Sequence, residues 1–81
     1  MRVTNIGLDG EELPETITVE LSRDEAIVLG KITGKYSFSE AQANFGERAA
    51  CTGDIYDALV GVVFNRFWDD GIKDAEKEEV A

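Results

Sequence analysis

The side chains of this chain that could do acid–base chemistry are carboxylates close together in the sequence, Asp54 with Asp57 and Asp69 with Asp70. General acid–base catalysis needs two groups whose environments separate their pKa values, whereas neighbouring acids in an acidic chain more often cap helices or face solvent. The chain has no histidine, so the usual Ser-His and Cys-His arrangements for nucleophilic catalysis are excluded. We therefore predict that the protein is not an enzyme.

Metal and phosphate sites have equally little support in the sequence. Cys51 is the only cysteine and there is no histidine, so the nitrogen and sulfur ligands of a zinc site cannot be assembled. We interpret Cys51 as a small apolar packing residue. The segment GKITGK at 30–35 lacks the GxxxxGK[ST] spacing of a phosphate loop, and DGEELPE at 9–15 does not match the calcium-loop pattern. No metal ion and no cofactor are expected.

The charge balance narrows the class of partner. With 17 acidic and 8 basic residues in 81, the net charge is -9. Direct binding to nucleic acid needs clustered lysine and arginine, so it is disfavoured, and a basic protein partner is easier to justify. The longest apolar runs, at 26–30 and 59–64, are far shorter than the roughly 20 residues of a membrane span. The lone thiol and the absence of a signal-peptide pattern favour a cytoplasmic location.

The acids are concentrated at two ends, with seven between Asp9 and Glu25 and six between Asp69 and Glu79. Such runs are either solvated loop and tail or a functional acidic surface. The second interpretation predicts an acidic surface formed by Asp69, Asp70, Asp74 and Glu76.

A helix predicted over about 54–70 carries more apolar residues than one buried side requires. At 100° per residue, its apolar arc is about twice the roughly 100° of an ordinary surface helix. Either this helix is the centre of the domain, or part of it stays open for another chain. The second alternative predicts a partner-binding surface whose members are large apolar and aromatic residues, namely Tyr56, Val60, Phe64 and Trp68.

The strands and helices that position these residues are indicated by the spacing of apolar residues and by helix-capping residues. Val3, Ile6 and Leu8 indicate a short strand, and the alternation in TITVEL at 16–21 indicates a second with one buried face, the two pairing antiparallel across 9–15. Ser22 and Glu25 have capping-box spacing before a helix of about 23–33.

Further along the chain, KYSFS at 35–39 is compatible with a short strand, and a second helix is expected at about 40–50. We predict an α+β fold in which a short N-terminal β-hairpin or small antiparallel sheet packs against two or three helices, with the last helix central. The expected compact domain is 1–71, and 72–81 is expected to be an acidic, disordered tail.

One resemblance adds context. LSRDEAIVL at 21–29 fits an LSxxEAxxL pattern that follows a strand, and IYDAL at 55–59 fits an IYxAL pattern in a later helix. In this respect the chain resembles small proteins encoded by actinobacterial phages and prophages. The resemblance covers about half of the chain and implies no activity. It suggests an accessory factor that binds host machinery, and for a phage-encoded protein the expected location is the host cytoplasm.

Three functional hypotheses follow. The first is a non-enzymatic protein-binding factor that docks through the last helix. The second is an acidic nucleic-acid mimic that occupies the basic groove of a DNA- or RNA-binding protein. The third is a structural subunit that uses the same helix to form a homo-oligomer.

Overall fold

The N-terminal part of the protein is a two-stranded antiparallel hairpin. In a computed structural model that describes residues 1–77, β1 (Arg2–Leu8) pairs with β2 (Pro14–Glu20). The connecting turn is closed by Asp9, whose carboxylate accepts hydrogen bonds from the backbone amides of Glu11 at 2.8 Å and Leu13 at 3.1 Å. The predicted pairing across 9–15 is thus present.

A β-bulge aligns the apolar residues of this hairpin. Val3 pairs with Val19 and Ile6 pairs with Ile17. The two pairs are therefore three residues apart along β1 but only two residues apart along β2. In a regular strand, residues three apart point to opposite faces, and the extra residue in β1 brings both valines and both isoleucines to one face. The expected burial of that face is not observed, because Ile17 is 62% and Val19 is 41% exposed.

Helix α1 (Arg23–Gly34) begins at the predicted capping box. The Ser22 hydroxyl accepts from the amide of Glu25 at 3.1 Å, and the Glu25 carboxylate accepts from the amide of Ser22 at 3.0 Å. The next helix, α2 (Phe38–Phe45), starts from an equivalent box at Ser37. The predicted boundaries of 40–50 are therefore too late, and Phe38 is helical where a short strand was considered.

A long helix, 50–67, follows a short 3-10 turn at Gly46–Arg48. It consists of α3 (Ala50–Tyr56), a π-helical segment (Asp57–Phe64) and α4 (Asn65–Phe67). It starts four residues before the predicted start at 54 and ends before Trp68, whose backbone is extended. A last helix, α5 (Ile72–Lys77), follows a turn at Gly71, which has a positive φ of 59°.

The core lies between α1, the long helix and α5. It is built from Ile27, Val60, Phe64 and Ala75, with Ala26, Leu59, Trp68 and Ile72 packed against it. The α+β class is confirmed, and the last predicted helix supplies the largest fully buried side chain, Phe64.

The C-terminal segment differs from the expected disordered tail. Residues Ile72–Lys77 form a helix, and Ala75 is only 3% exposed because it packs into the core against the long helix. Two small or β-branched apolar residues are enough to attach this helix, although its composition is mostly charged. The rest of the expected tail, 78–81, lies outside the described residues.

Candidate interaction surface

Two of the predicted partner-binding residues are core residues. Val60 is 7% exposed and Phe64 is 1% exposed, so neither can be an anchor on the surface of the folded chain. Both belong to the core cluster with Ile27 and Ala75, on the side of the long helix that faces α1 and α5. In this structure these two predicted residues pack the core.

Tyr56 and Trp68, the other two predicted anchors, lie on separate parts of the molecule. The ring of Tyr56 covers Gly34 at the end of α1, so closely that a Cβ atom on Gly34 would come within 2.5 Å of the ring. Trp68 is half-buried, with its ring 5.7 Å from that of Phe64 and the Arg23 guanidinium 5.1 Å from its centre. The four predicted residues therefore do not form one surface.

The predicted acidic surface is partly occupied by contacts within the chain. The carboxylate of Asp74 accepts a hydrogen bond from the backbone amide of Asp70 at 2.9 Å. Glu76 forms a salt bridge with Lys31 of α1 at 2.5 Å. These contacts help to hold α5 in place, whereas Asp69 and Asp70 are exposed.

A different surface gathers the exposed apolar side chains. We define the hairpin face as the apolar face of the two strands, on which every residue is at least 41% exposed: Val3, Ile6, Leu8, Ile17 and Val19. The opposite face of the hairpin is polar, because Thr16, Thr18 and Glu20 alternate with the apolar residues of β2. The hairpin is thus amphipathic, with its apolar side uncovered.

The hairpin face continues onto α1. Met1 lies two residues before Val3, and Leu21 lies two residues after Val19. The strand alternation therefore places both on the apolar side, at the end of the hairpin away from its turn. Both line an apolar groove of about 360 Å³, which we call the α1 groove and whose other lining residues are Asp24, Glu25, Val28, Leu29 and Ile32. The hairpin face and the α1 groove together form one elongated apolar surface.

Glu25 fastens the base of the hairpin to α1. Its carboxylate accepts a hydrogen bond and a salt bridge from the α-amino group of Met1, besides the capping bond from Ser22. The N-terminal ammonium group is the main cause, and Ser22 the next, of a pKa for Glu25 that is lowered to about 2. The carboxylate therefore stays ionised throughout the neutral and mildly acidic range.

The surroundings of this apolar surface are acidic. Glu11 and Glu12 lie in the turn, Glu15 lies at the start of β2, and Asp24 lies beside the α1 groove. The two arginines of this region are already engaged, Arg2 with Glu20 at 3.1 Å and Arg23 with the Trp68 ring. The net field around the surface is negative.

A second, smaller apolar area lies on the outside of the long helix. Val62 is 64% and Phe67 is 68% exposed, and the Arg66 guanidinium lies 5.5 Å from the centre of the Phe67 ring. The exposed apolar side of this helix is therefore formed by Val62 and Phe67, rather than by the predicted Val60 and Phe64.

Comparison with protein families, with curated proteins and with solved structures yields no match. Within residues 1–77, no helix is long and apolar enough to cross a membrane. The same residues contain no group of three metal-ligating side chains that could hold a metal ion. Cys51 is exposed, so its interpretation as a packing residue is wrong.

The hairpin face carried a usable signal in the sequence. Val3 and Ile6 are three residues apart, which a regular strand cannot place on one face, so they weakened the apolar pattern. A bulge at this position would have restored it. What the sequence pattern could not supply was that no element within residues 1–77 covers the face.

Proposed function

We propose that this protein is a non-enzymatic protein-binding factor. The observation that supports it is the distribution of apolar side chains. Within residues 1–77, six hydrophobic residues are buried, whereas sixteen large hydrophobic residues are exposed. Monomeric proteins rarely leave an extended apolar patch open, and such patches mark binding sites. The composition, with no histidine and one cysteine, favours a binding role over a catalytic one.

The binding region is the hairpin face with the α1 groove, rather than the long helix that the apolar arc suggested. Eight of its apolar side chains are at least 41% exposed, so their apolar area is available to a partner. If the chain is phage-encoded, as its LSRDEAIVL and IYDAL segments suggest, the partner is a host or phage protein.

The two alternative hypotheses receive less support. Nucleic-acid mimicry at the C-terminal acids is weakened because Asp74 and Glu76 are used in contacts within the chain. Homo-oligomerisation through the hairpin face would bring two acidic surroundings together in a chain of net charge -9.

The test is affinity capture from a lysate of the source cells with two versions of the full chain. One is the wild type, and the other carries Ile6→Ser and Ile17→Ser, which alter only exposed side chains. We expect at least one protein to be retained by the wild type and lost with the double variant, as measured by quantitative mass spectrometry. If the wild type retains nothing above the bare matrix, the proposal fails.

A further inference from the structure

We infer that the hairpin face and the α1 groove bind one basic amphipathic helix of a partner protein. The inference rests on the proposed function and specifies the chemistry of the partner. It draws on the dimensions of the apolar surface and on the distribution of charge around it.

The dimensions of the hairpin face fit a single helix. Two paired strands lie about 5 Å apart, and an α-helix with its side chains is about 10 Å wide, so one helix covers both strands. Each strand has seven residues, which corresponds to a length of about 20 Å, or about 14 helical residues. Covering one face of a small sheet with a helix is the ordinary way to complete a layered α+β core.

The α1 groove gives this helix an end point. The groove is a continuation of the hairpin face through Met1 and Leu21, and its floor includes Val28 and Ile32, which are 56% and 45% exposed. An apolar side chain near one end of the docked helix would enter it. The rest of the helix would lie on the two paired rows formed by Val3 with Val19 and Ile6 with Ile17.

The charges specify a basic partner. Glu11 and Glu12 lie at the turn end of the surface and Asp24 lies at the groove end, so acids are present at both ends of the docked helix. Lysine or arginine flanking the apolar stripe of that helix would meet them with complementary charge. A second copy of this chain lacks that complementarity, because its residues 1–25 carry seven acids against two arginines and the Met1 ammonium group, and these cations already contact Glu20, the Trp68 ring and Glu25.

The experiment uses the full chain and labelled synthetic peptides of 18 residues. The probe peptide has leucine at helix positions i, i+3, i+4 and i+7, repeated along its length, and lysine at most other positions. One control peptide replaces the lysines with glutamate, and another replaces the leucines with serine. Binding is measured by fluorescence anisotropy at low salt. We expect saturable one-to-one binding of the probe, and at least about tenfold weaker binding of each control peptide.

Variants of the chain locate the binding surface. Ile17→Ser on the hairpin face and Val28→Ser in the α1 groove should each weaken binding of the probe about tenfold. The matched controls Val62→Ser and Phe67→Ser alter side chains on the long helix that are at least as exposed, and they should leave binding unchanged. Because Val28 lies on α1, its variant keeps the test valid even if Ile17→Ser disturbs the hairpin.

Several results would overturn the inference. One is equal binding of the glutamate and lysine peptides, and another is loss of binding in the Val62 or Phe67 variants rather than in the Ile17 and Val28 variants. A third is a dimer of the free chain that Ile17→Ser dissociates, since a second copy would then occupy the surface. If the lysate capture retains a partner but the probe peptide does not bind, the basic helix is wrong and the protein-binding function stands.

Discussion

Phe64 and Phe67 are three positions apart on the long helix and differ sharply in environment. Phe64 is 1% exposed and touches the core from the π-helical segment, whereas Phe67 is 68% exposed beneath the Arg66 guanidinium. The two side chains are identical, so their surroundings separate a core residue from a surface residue. Phe64 packs in the core with Ile27, Val60 and Ala75, whereas Phe67 lies against Arg66.

We predict opposite outcomes for the two alanine variants. Phe64→Ala should lower the free energy of unfolding by about 3–5 kcal/mol, because it leaves a cavity in a small core. Phe67→Ala should change it by no more than about 0.5 kcal/mol, because the ring is mostly in water. Urea denaturation followed by circular dichroism measures both. Equal losses in the two variants would contradict the assignment of Phe64 to the core.

A second residue-level prediction concerns pH. The pKa of Glu25 is lowered in the fold to about 2 by the Met1 ammonium group and Ser22, from an ordinary value of 4.5. A carboxyl group whose pKa is lowered by folding stabilises the fold at pH values above its ordinary pKa. This stabilisation is lost as the pH falls from 4.5 toward 2. Wild type should therefore be more stable than Glu25→Gln at pH 6, and the difference should shrink across this interval.

The measurement is urea denaturation of both proteins from pH 6 to pH 2 at low protein concentration. The difference between the two proteins isolates Glu25 from the other titrating acids. A stability difference that is constant over the whole range would show that the carboxylate charge contributes nothing.

At the scale of elements, the sequence predicted what short-range chemistry determines. Ser22 with Glu25 is a capping box by spacing alone, and the structure has it; the same spacing at Ser37 and Glu40 starts α2. Ile17 and Val19 indicate a strand by alternation, and the hairpin is present. These signals depend on neighbouring residues, so one sequence contains all of the information needed.

The elements that the sequence did not predict depend on tertiary contacts. Ala75 is a small residue in a charged segment, and its packing with Val60 and Phe64, together with the salt bridge of Glu76 to α1, attaches α5 to the domain. Part of the long helix is π-helical, and no local pattern predicted it. Whether the hairpin face is covered depends on where the other elements pack, which no local pattern shows. Within residues 1–77 no other element lies over it.

The attachment of α5 leads to a prediction at the same scale. Ala75→Asn would place an amide in the core, so it should lower the free energy of unfolding by about 1–3 kcal/mol. Lys73→Asn makes a comparable polar change at an exposed position of the same helix and should have little effect. Thermal denaturation of the two variants tests this. If both have the melting temperature of the wild type, α5 does not belong to the cooperative unit.

At the scale of the whole molecule, stability should be distributed unevenly. The helical part contains the core, whereas the hairpin is held by its own ladder and by the contacts at Met1, Leu21 and Glu25. Isolated two-stranded hairpins are marginal in water, and poorly packed elements open well below the global free energy of unfolding.

Amide hydrogen exchange measured by NMR tests this division. We predict that amides in β1 and β2 exchange at least about tenfold faster than those in the middle of α1. Addition of the lysine and leucine probe peptide should slow exchange in the strands and leave the long helix almost unchanged. Strand amides that are as well protected as α1 in the free chain would show that the hairpin is already part of the core.

The two open edges of the hairpin have a consequence for the free chain. An unpaired strand edge beside an apolar face is a template on which further strands can stack into fibrils. Glu11, Glu12 and Glu15 at the turn and along the start of β2 act as electrostatic gatekeepers against that stacking. Substitution of these three glutamates by glutamine removes this protection. A preparation of the unbound chain is then expected to lose colloidal stability, whereas the complex, with the apolar face covered, stays dispersed.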